Sequence, residues 1–153
     1  MAITTLNQAV KVIKTIADAH LQVRSFFEGD PWDFATSGVT NYPAVICVTN
    51  DVEFSRNTIK YNFDLYFMDK ERNGQSNRTE VTSDMILIAK DFQSEMRHPD
   101  WNWTVDFGDS NKVELFAEKF DDWVDGCKMN VNILLQMPDD TCQIPESITR
   151  VSP

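Results

Sequence analysis

Hydrophobic and polar positions alternate most clearly between Asn57 and Asp69. Ile59, Tyr61, Phe63, Leu65 and Phe67 take turns with Lys60, Asn62, Asp64, Tyr66 and Met68. Side chains on a strand point to opposite faces with period two, so the pattern predicts a long strand with one aromatic, buried face. The strand runs into a polar stretch, Asp69 to Asn77, with a turn signal at Asn73-Gly74. A long strand with a hydrophilic tip reads as a projecting arm, spanning about 60–78. Arms of this kind serve assembly more often than catalysis.

Two segments carry the helical period instead. From Thr5 to about Arg24, Leu6, Ala9, Val10, Ile13, Ile16, Ala17 and His20 fall on one face, and Thr5-x-x-Gln8 fits a capping box at the start. From Glu80 to about Arg97, Val81, Met85, Ile88, Ala89, Phe92 and Met96 share a face, with Asn77 or Thr79 as cap and His98-Pro99 as terminator. The chain between Ser25 and Pro43 reads as a long ordered loop rich in aromatics. Ala44 to Thr49 reads as a buried strand, closed by a turn that starts at Asn50-Asp51. Further strands are expected over Trp101–Phe107, Lys112–Phe120 and Trp123–Gln136. The last of these sets Cys127, Met129, Val131, Ile133 and Leu135 against Lys128, Asn130 and Asn132. Met137 to Pro153 reads as an extended polar tail. The expected fold is therefore α+β: a mainly antiparallel sheet with two helices on one face, in the order α-β-β-α-β-β-β.

At 153 residues, the chain fits one domain able to bury about 70% of its unfolded surface without disulfide staples. Its 24 Asp and Glu against 14 Lys and Arg give a formal charge of −10. Ten acids against three bases lie between Asp91 and Asp125, a local balance of −7. Binding a phosphate backbone needs clustered Lys and Arg, so this balance speaks against an ordinary nucleic-acid binder. Solubility is the simplest use of such charge. The three cysteines, Cys47, Cys127 and Cys142, are odd in number and lack metal spacing, which reads as a reduced, cytoplasmic product. Lys11 and Lys14 interrupt the first apolar stretch, so no secretory signal is read there. A run such as Met85 to Ala89 is far too short to cross a bilayer.

The chain offers little chemistry. His20 and His98 each sit at an expected helix end, where capping or packing accounts for them, and two distant histidines make neither a zinc site nor a triad. Asp121, Asp122 and Asp125 with Glu118 lack the glycine and closing glutamate of a calcium loop. The five glycines are scattered singly, so no phosphate loop forms. No catalytic, metal or cofactor residue is assigned.

Several stretches resemble the small tail-terminator and neck ring proteins of tailed bacteriophages, especially the ring proteins of crAss-like phages that infect gut Bacteroidetes. The resemblance lies in His20-Leu-Gln-Val-Arg-Ser-Phe-Phe-Glu-Gly-Asp-Pro-Trp-Asp-Phe34 and in Asn41-Tyr-Pro43 before a strand. It continues in the long strand closed by Met68-Asp69, in Glu118-Lys-Phe-Asp-Asp122 and in Cys142-Gln-Ile-Pro145. It covers nearly the whole chain. It implies a non-enzymatic α+β subunit without cofactor, made in the host bacterial cytoplasm and assembled into the virion neck or tail. Such a subunit would form a hexameric or dodecameric ring beside the portal or neighbouring rings, with genomic DNA passing through and no membrane contact.

The family supplies no motif that fixes the interface. The aromatic loop and the arm therefore provide the expected contact residues: Phe27, Trp32, Phe34, Tyr66, Met68, Lys70, Arg72 and Asn73. The acidic stretch provides the expected channel-facing residues: Asp106, Asp109, Glu114 and Glu118. The alternative is a small cytoplasmic ligand- or protein-binding module of α+β fold, with a ligand held between the sheet and the two helices, and an enzyme of unrecognised type is third. Particle size separates a ring from a monomeric or dimeric module.

Overall fold

The computed structural model describes residues 5–30, 33, 41–70, 78–101, 103–107, 111–119 and 124–137. Its elements are α1 (Leu6–Ala19), β1 (Ser25–Glu28), β2 (Ala44–Ser55), β3 (Thr58–Lys70), α2 (Arg78–Met96), β4 (Thr104–Asp106), β5 (Glu114–Lys119) and β6 (Val124–Gln136). The class is α+β. Among the described residues the sheet has six strands in the order β1-β2-β3-β6-β4, with β5 also on the outer side of β6. Every pairing is antiparallel except β1 with β2.

The long alternating segment forms the middle of this sheet. β3 pairs with β2 from Thr58 to Met68 and with β6 from Thr58 to Lys70. It is not a free-standing arm, because both of its edges are hydrogen-bonded along nearly their whole length. The polar stretch expected as its tip, 71–77, lies outside the described residues. Ile59, Tyr61, Phe63, Leu65 and Phe67 are all buried, as the alternation requires, and so are Cys127, Met129, Val131, Ile133 and Leu135 on β6. Both helices pack on this face. α1 contributes Ala9, Val10, Ile13, Ile16 and Ala17, and α2 contributes Val81, Met85, Ile88, Ala89, Phe92 and Met96. Phe92 meets Phe67 edge to face at 5.0 Å, a preferred aromatic geometry.

Helix ends follow local chemistry. The Thr5 hydroxyl accepts from the Gln8 N–H and the Gln8 side chain accepts from the Thr5 N–H, each at 3.2 Å. This reciprocal box satisfies two donors that have no partner within the helix. α1 stops at Ala19, sooner than the periodicity suggested, with His20 extended as its C-cap. α2 begins at Arg78, so Thr79 lies inside the helix and is not its cap.

Three further expectations need correction. Ser25–Glu28, expected within a loop, is a strand parallel to β2. Phe26 faces the helices and Phe27 the opposite side, so both positions are apolar and no alternation is visible. The turn expected at Asn50-Asp51 is an irregularity in a continuing strand: the register shifts between Thr49 and Asp51, as at a β-bulge, and β2 runs on to Ser55. The reversal falls at Arg56-Asn57, where Asn57 has φ of 64°. Asparagine tolerates that left-handed conformation better than most residues. The strand expected over Trp101–Phe107 shrinks to Thr104–Asp106, because Pro99–Trp101 forms a 3-10 turn. The indole N–H groups of Trp101 and Trp103 donate to the carbonyls of Glu95 and Met96, tying this segment to the end of α2.

Gly126 marks a close approach of backbone within the sheet. A β-carbon built there would lie 1.8 Å from the Phe67 carbonyl oxygen. Backbone on a central strand cannot yield as a side-chain tip can. Gly126→Ala is expected to destabilise the fold by about 3 kcal/mol, the upper end of the usual overpacking range. A drop in the urea midpoint with an unchanged m-value checks this.

The two described thiols give a pH signature. Burial pushes Cys47 and Cys127 from 9.0 up to about 12, with Glu28 and Asp64 adding to the effect at Cys47. Above pH 9 the unfolded chain loses thiol protons that the folded chain keeps. The unfolded state then binds fewer protons, and stability falls with rising pH. Stability owed to these groups is therefore fully present below pH 9 and drains away between pH 9 and 12. Denaturation midpoints across that range, compared with a Cys47→Ala/Cys127→Ala variant of flatter profile, measure it.

Candidate interaction surfaces

α1 and α2 pack on the first face of the sheet and contribute nothing to the apolar cluster of the second. At one end this second face holds a small apolar cluster: Ala44, Ile46, Met68, Phe116 and Val124 are buried, with Phe27, Tyr42, Val48 and Tyr66 packed against them. The structure thus brings Phe27, Tyr66 and Met68 together, three of the expected contact residues. Met68 is only 1% exposed and packs within its own chain. Lys70 is exposed, with its ammonium 5.8 Å from the Tyr42 ring centroid. Trp32, Phe34, Arg72 and Asn73 lie outside the described residues.

The rest of this face is polar and ordered by side-chain hydrogen bonds. Asn50 Nδ2 donates to Asn62 Oδ1 at 2.9 Å, and Asn62 Nδ2 donates to Asn132 Oδ1 at 2.7 Å and to Asn130 Oδ1 at 3.0 Å. Asn130 Nδ2 in turn donates to Asp64 Oδ1 at 2.9 Å. Lys128 bridges the carboxylates of Asp64 and Glu114 at 3.6 and 3.7 Å and lies 5.9 Å from the Tyr66 ring centroid. Burial works against the Lys128 charge, but Asp64, Tyr66 and Glu114 outweigh it and hold its pKa above the usual value. The Tyr66 hydroxyl is also raised, by its own burial first, with Lys128 opposing and Asp64 and Glu114 adding.

Two of the expected channel acids belong to this face. Asp106 stands opposite Asn132 and Glu114 opposite Lys128, so both share the polar side, and both are exposed. Asp51 and Glu53 join them, opposite Asn62 and Lys60, and Glu53 pairs with Lys60 at 3.0 Å. The five carboxylates of Asp51, Glu53, Asp64, Asp106 and Glu114 thus share this face with three ammonium groups, Lys60, Lys70 and Lys128. Asp109 and the side chain of Glu118 lie outside the described residues.

The sheet edges carry apolar surface that the sequence reading missed. Beyond Cys47, no described strand pairs with the outer edge of β2. There Val52 and Phe54 are 43% and 79% exposed. They stand opposite Tyr61 and Ile59, so they point to the helix side. At the opposite edge, a groove of about 500 Å³ runs between α2 and β5, lined by Arg78, Thr79, Thr82, Ser83, Ile86, Leu115 and Phe116. Leu115 is 60% exposed and Ile86 40%. The alternation of Val52 with Phe54 was the signal available in the sequence. It was hidden by the turn-like Asn50-Asp51 before it.

Both histidines are hydrogen-bonded near helix ends. His20 Nδ1 accepts from the Gln22 N–H, which leaves the proton on Nε2, 2.9 Å from an Asp91 carboxylate oxygen. Nε2 ties the end of α1 to α2, while Nδ1 holds the turn that follows α1. His98 Nδ1 likewise accepts from the Asp100 N–H after α2 ends. Asp125, on β6, is fully buried, and one of its oxygens lies 3.9 Å from Arg78 Nε at the start of α2. Among the described residues no helix is long and apolar enough to cross a membrane. Compared with known proteins, the chain matches no family model and no curated protein.

Proposed function

We propose that this chain is a structural subunit of a closed homo-oligomeric ring in the neck or tail of a tailed bacteriophage. The observation that carries the reading is the pair of unlike apolar patches at opposite edges of one sheet: Val52 and Phe54 on β2, and the Ile86–Leu115 groove between α2 and β5. A ring repeats one heterologous contact by rotation until it closes, so each subunit needs two different, complementary surfaces. A twofold dimer needs only one. The sequence resemblance to phage ring proteins points the same way, and the role is mechanical rather than catalytic.

In this reading the polar face of the sheet turns toward the channel and the helices turn outward. Asp51, Glu53, Asp64, Asp106 and Glu114 exceed Lys60, Lys70 and Lys128 there, which gives the lining a negative sign. Duplex DNA carries one negative charge per about 1.7 Å of axis, so a negative, amide-rich wall lets it pass without holding it. Screening limits the effect to about 8 Å at physiological salt, so only side chains at the wall matter. Their amides are largely engaged with one another through the Asn50–Asn62–Asn130–Asn132 network, which leaves fewer donors aimed outward.

The expected result is a large particle. Light scattering or mass photometry of the purified chain at increasing concentration, with and without the neighbouring ring proteins, should reach at least six subunits. A chain that stays monomeric under every condition would remove the proposal and favour a small binding module.

A further inference from the structure

We infer that residues 146–151 of this chain add to the outer edge of β2 as a further strand. β1 covers that edge only as far as Cys47, whose carbonyl accepts from the Gly29 N–H. From Val48 to Ser55 no described strand continues the pairing, and Phe54 there is 79% exposed. A bare edge of this length offers N–H and C=O groups to an extended segment, and strand addition satisfies them. The chain itself brings such a segment to the spot. Its Met137 N–H donates to the Asn57 carbonyl at 2.9 Å, so β6 ends beside the reversal where this edge also ends. Residues 138–153 follow from that point, outside the described residues.

Reach, direction and side chains all fit. β6 and the outer flank of β2 are three strand spacings apart, about 14 Å, and residues 138–145 span about 26 Å when extended. β2 and β6 both run toward the reversal, each antiparallel to β3, so a segment turning back from it lies antiparallel to β2. Ile148, Thr149 and Val151 are β-branched, the type that strands favour, and they stand between Pro145 and Pro153. Proline is tolerated at the start of an edge strand. Alternation puts Arg150, the one cation of 138–153, on the opposite side from Thr149 and Val151. On the polar face Arg150 meets Asp51 and Glu53, and Asp51 has no ion pair among the described residues. Thr149 and Val151 then stand beside Val52 and Phe54 on the helix side, which widens the apolar patch of the ring reading rather than removing it. Tethering favours this chain's own segment over that of another copy, because the encounter is intramolecular.

Two measurements on the whole chain test the strand. Hydrogen exchange is followed at the amides of Val48 to Ser55 in the unchanged chain and in Thr149→Pro, which removes an N–H from the proposed ladder. The outward amides are expected to be protected in the unchanged chain and to exchange about tenfold faster or more in the variant. For the second measurement, in a Cys142→Ser background, Glu53→Cys is combined in turn with Glu146→Cys, Ile148→Cys and Arg150→Cys, which alternation places on one face. Facing cysteines on paired strands come within disulfide range, so one of the three pairs is expected to close a bridge within a single chain. Circular dichroism verifies the fold of each variant. Amides that exchange fast in both chains mean a bare edge, and amides equally protected in both mean that another segment covers it; either result overturns the inference. A bridge that forms only between two chains makes the occupant a second copy's segment and overturns it as well. Neither measurement needs the chain to assemble, so failure here and failure of the ring reading are told apart.

Discussion

The structure depends on one strand being paired on both sides. β3 supplies the central row of hydrogen bonds, to β2 on one flank and to β6 on the other. Its period-two alternation then divides the molecule into two environments. Ile59 to Phe67 on odd positions draw both helices onto one face, because only burial against another element removes that aromatic surface from water. Lys60 to Tyr66 on even positions give the other face its polar character, next to the small cluster around Met68. A one-residue slip of register would exchange these environments and bury Asn62 and Asp64 among phenylalanines. Pairing over thirteen positions with β6 fixes the register against that.

The polar face follows from the same constraint. Asn62, Asn130 and Asn132 are not a motif in sequence; they meet because β3 and β6 place them side by side. Amides both donate and accept, so a cross-strand row can satisfy itself without a charged partner. Asp64 is only 8% exposed and is compensated from two directions, by the Asn130 amide and the Lys128 ammonium. A buried carboxylate with one oxygen accepting a hydrogen bond and a cation nearby is tolerable where an isolated one is not. Away from the Met68 cluster, order on this face is therefore electrostatic rather than apolar, in contrast to the face beneath the helices.

The fold was legible in the sequence where burial imposes a period. The buried faces of α1, α2, β3 and β6 all match their spacing because each lies against a single apolar layer. Legibility failed where that condition failed. Phe26 and Phe27 point to opposite faces, and both are partly buried, so β1 shows no alternation. Asn50-Asp51 looks like a turn because asparagine and aspartate favour turns, yet Asn50 sits at a register shift and donates to Asn62. The surfaces were less legible still. Tyr66, Asp106 and Glu114 were singled out and do lie on the polar face, but Met68 proved to be core. The groove between α2 and β5 joins residues about 30 apart, and no local pattern announces it.

The central claim is that this two-faced sheet forms the wall of a ring, polar face inward and helices outward. Electron-microscope class averages of the purified, assembled particle test that claim directly. The account requires a closed annulus with an open centre wide enough for duplex DNA, and a helical layer on its outer rim. A compact particle without a channel, or an annulus with its helices around the bore, would contradict it.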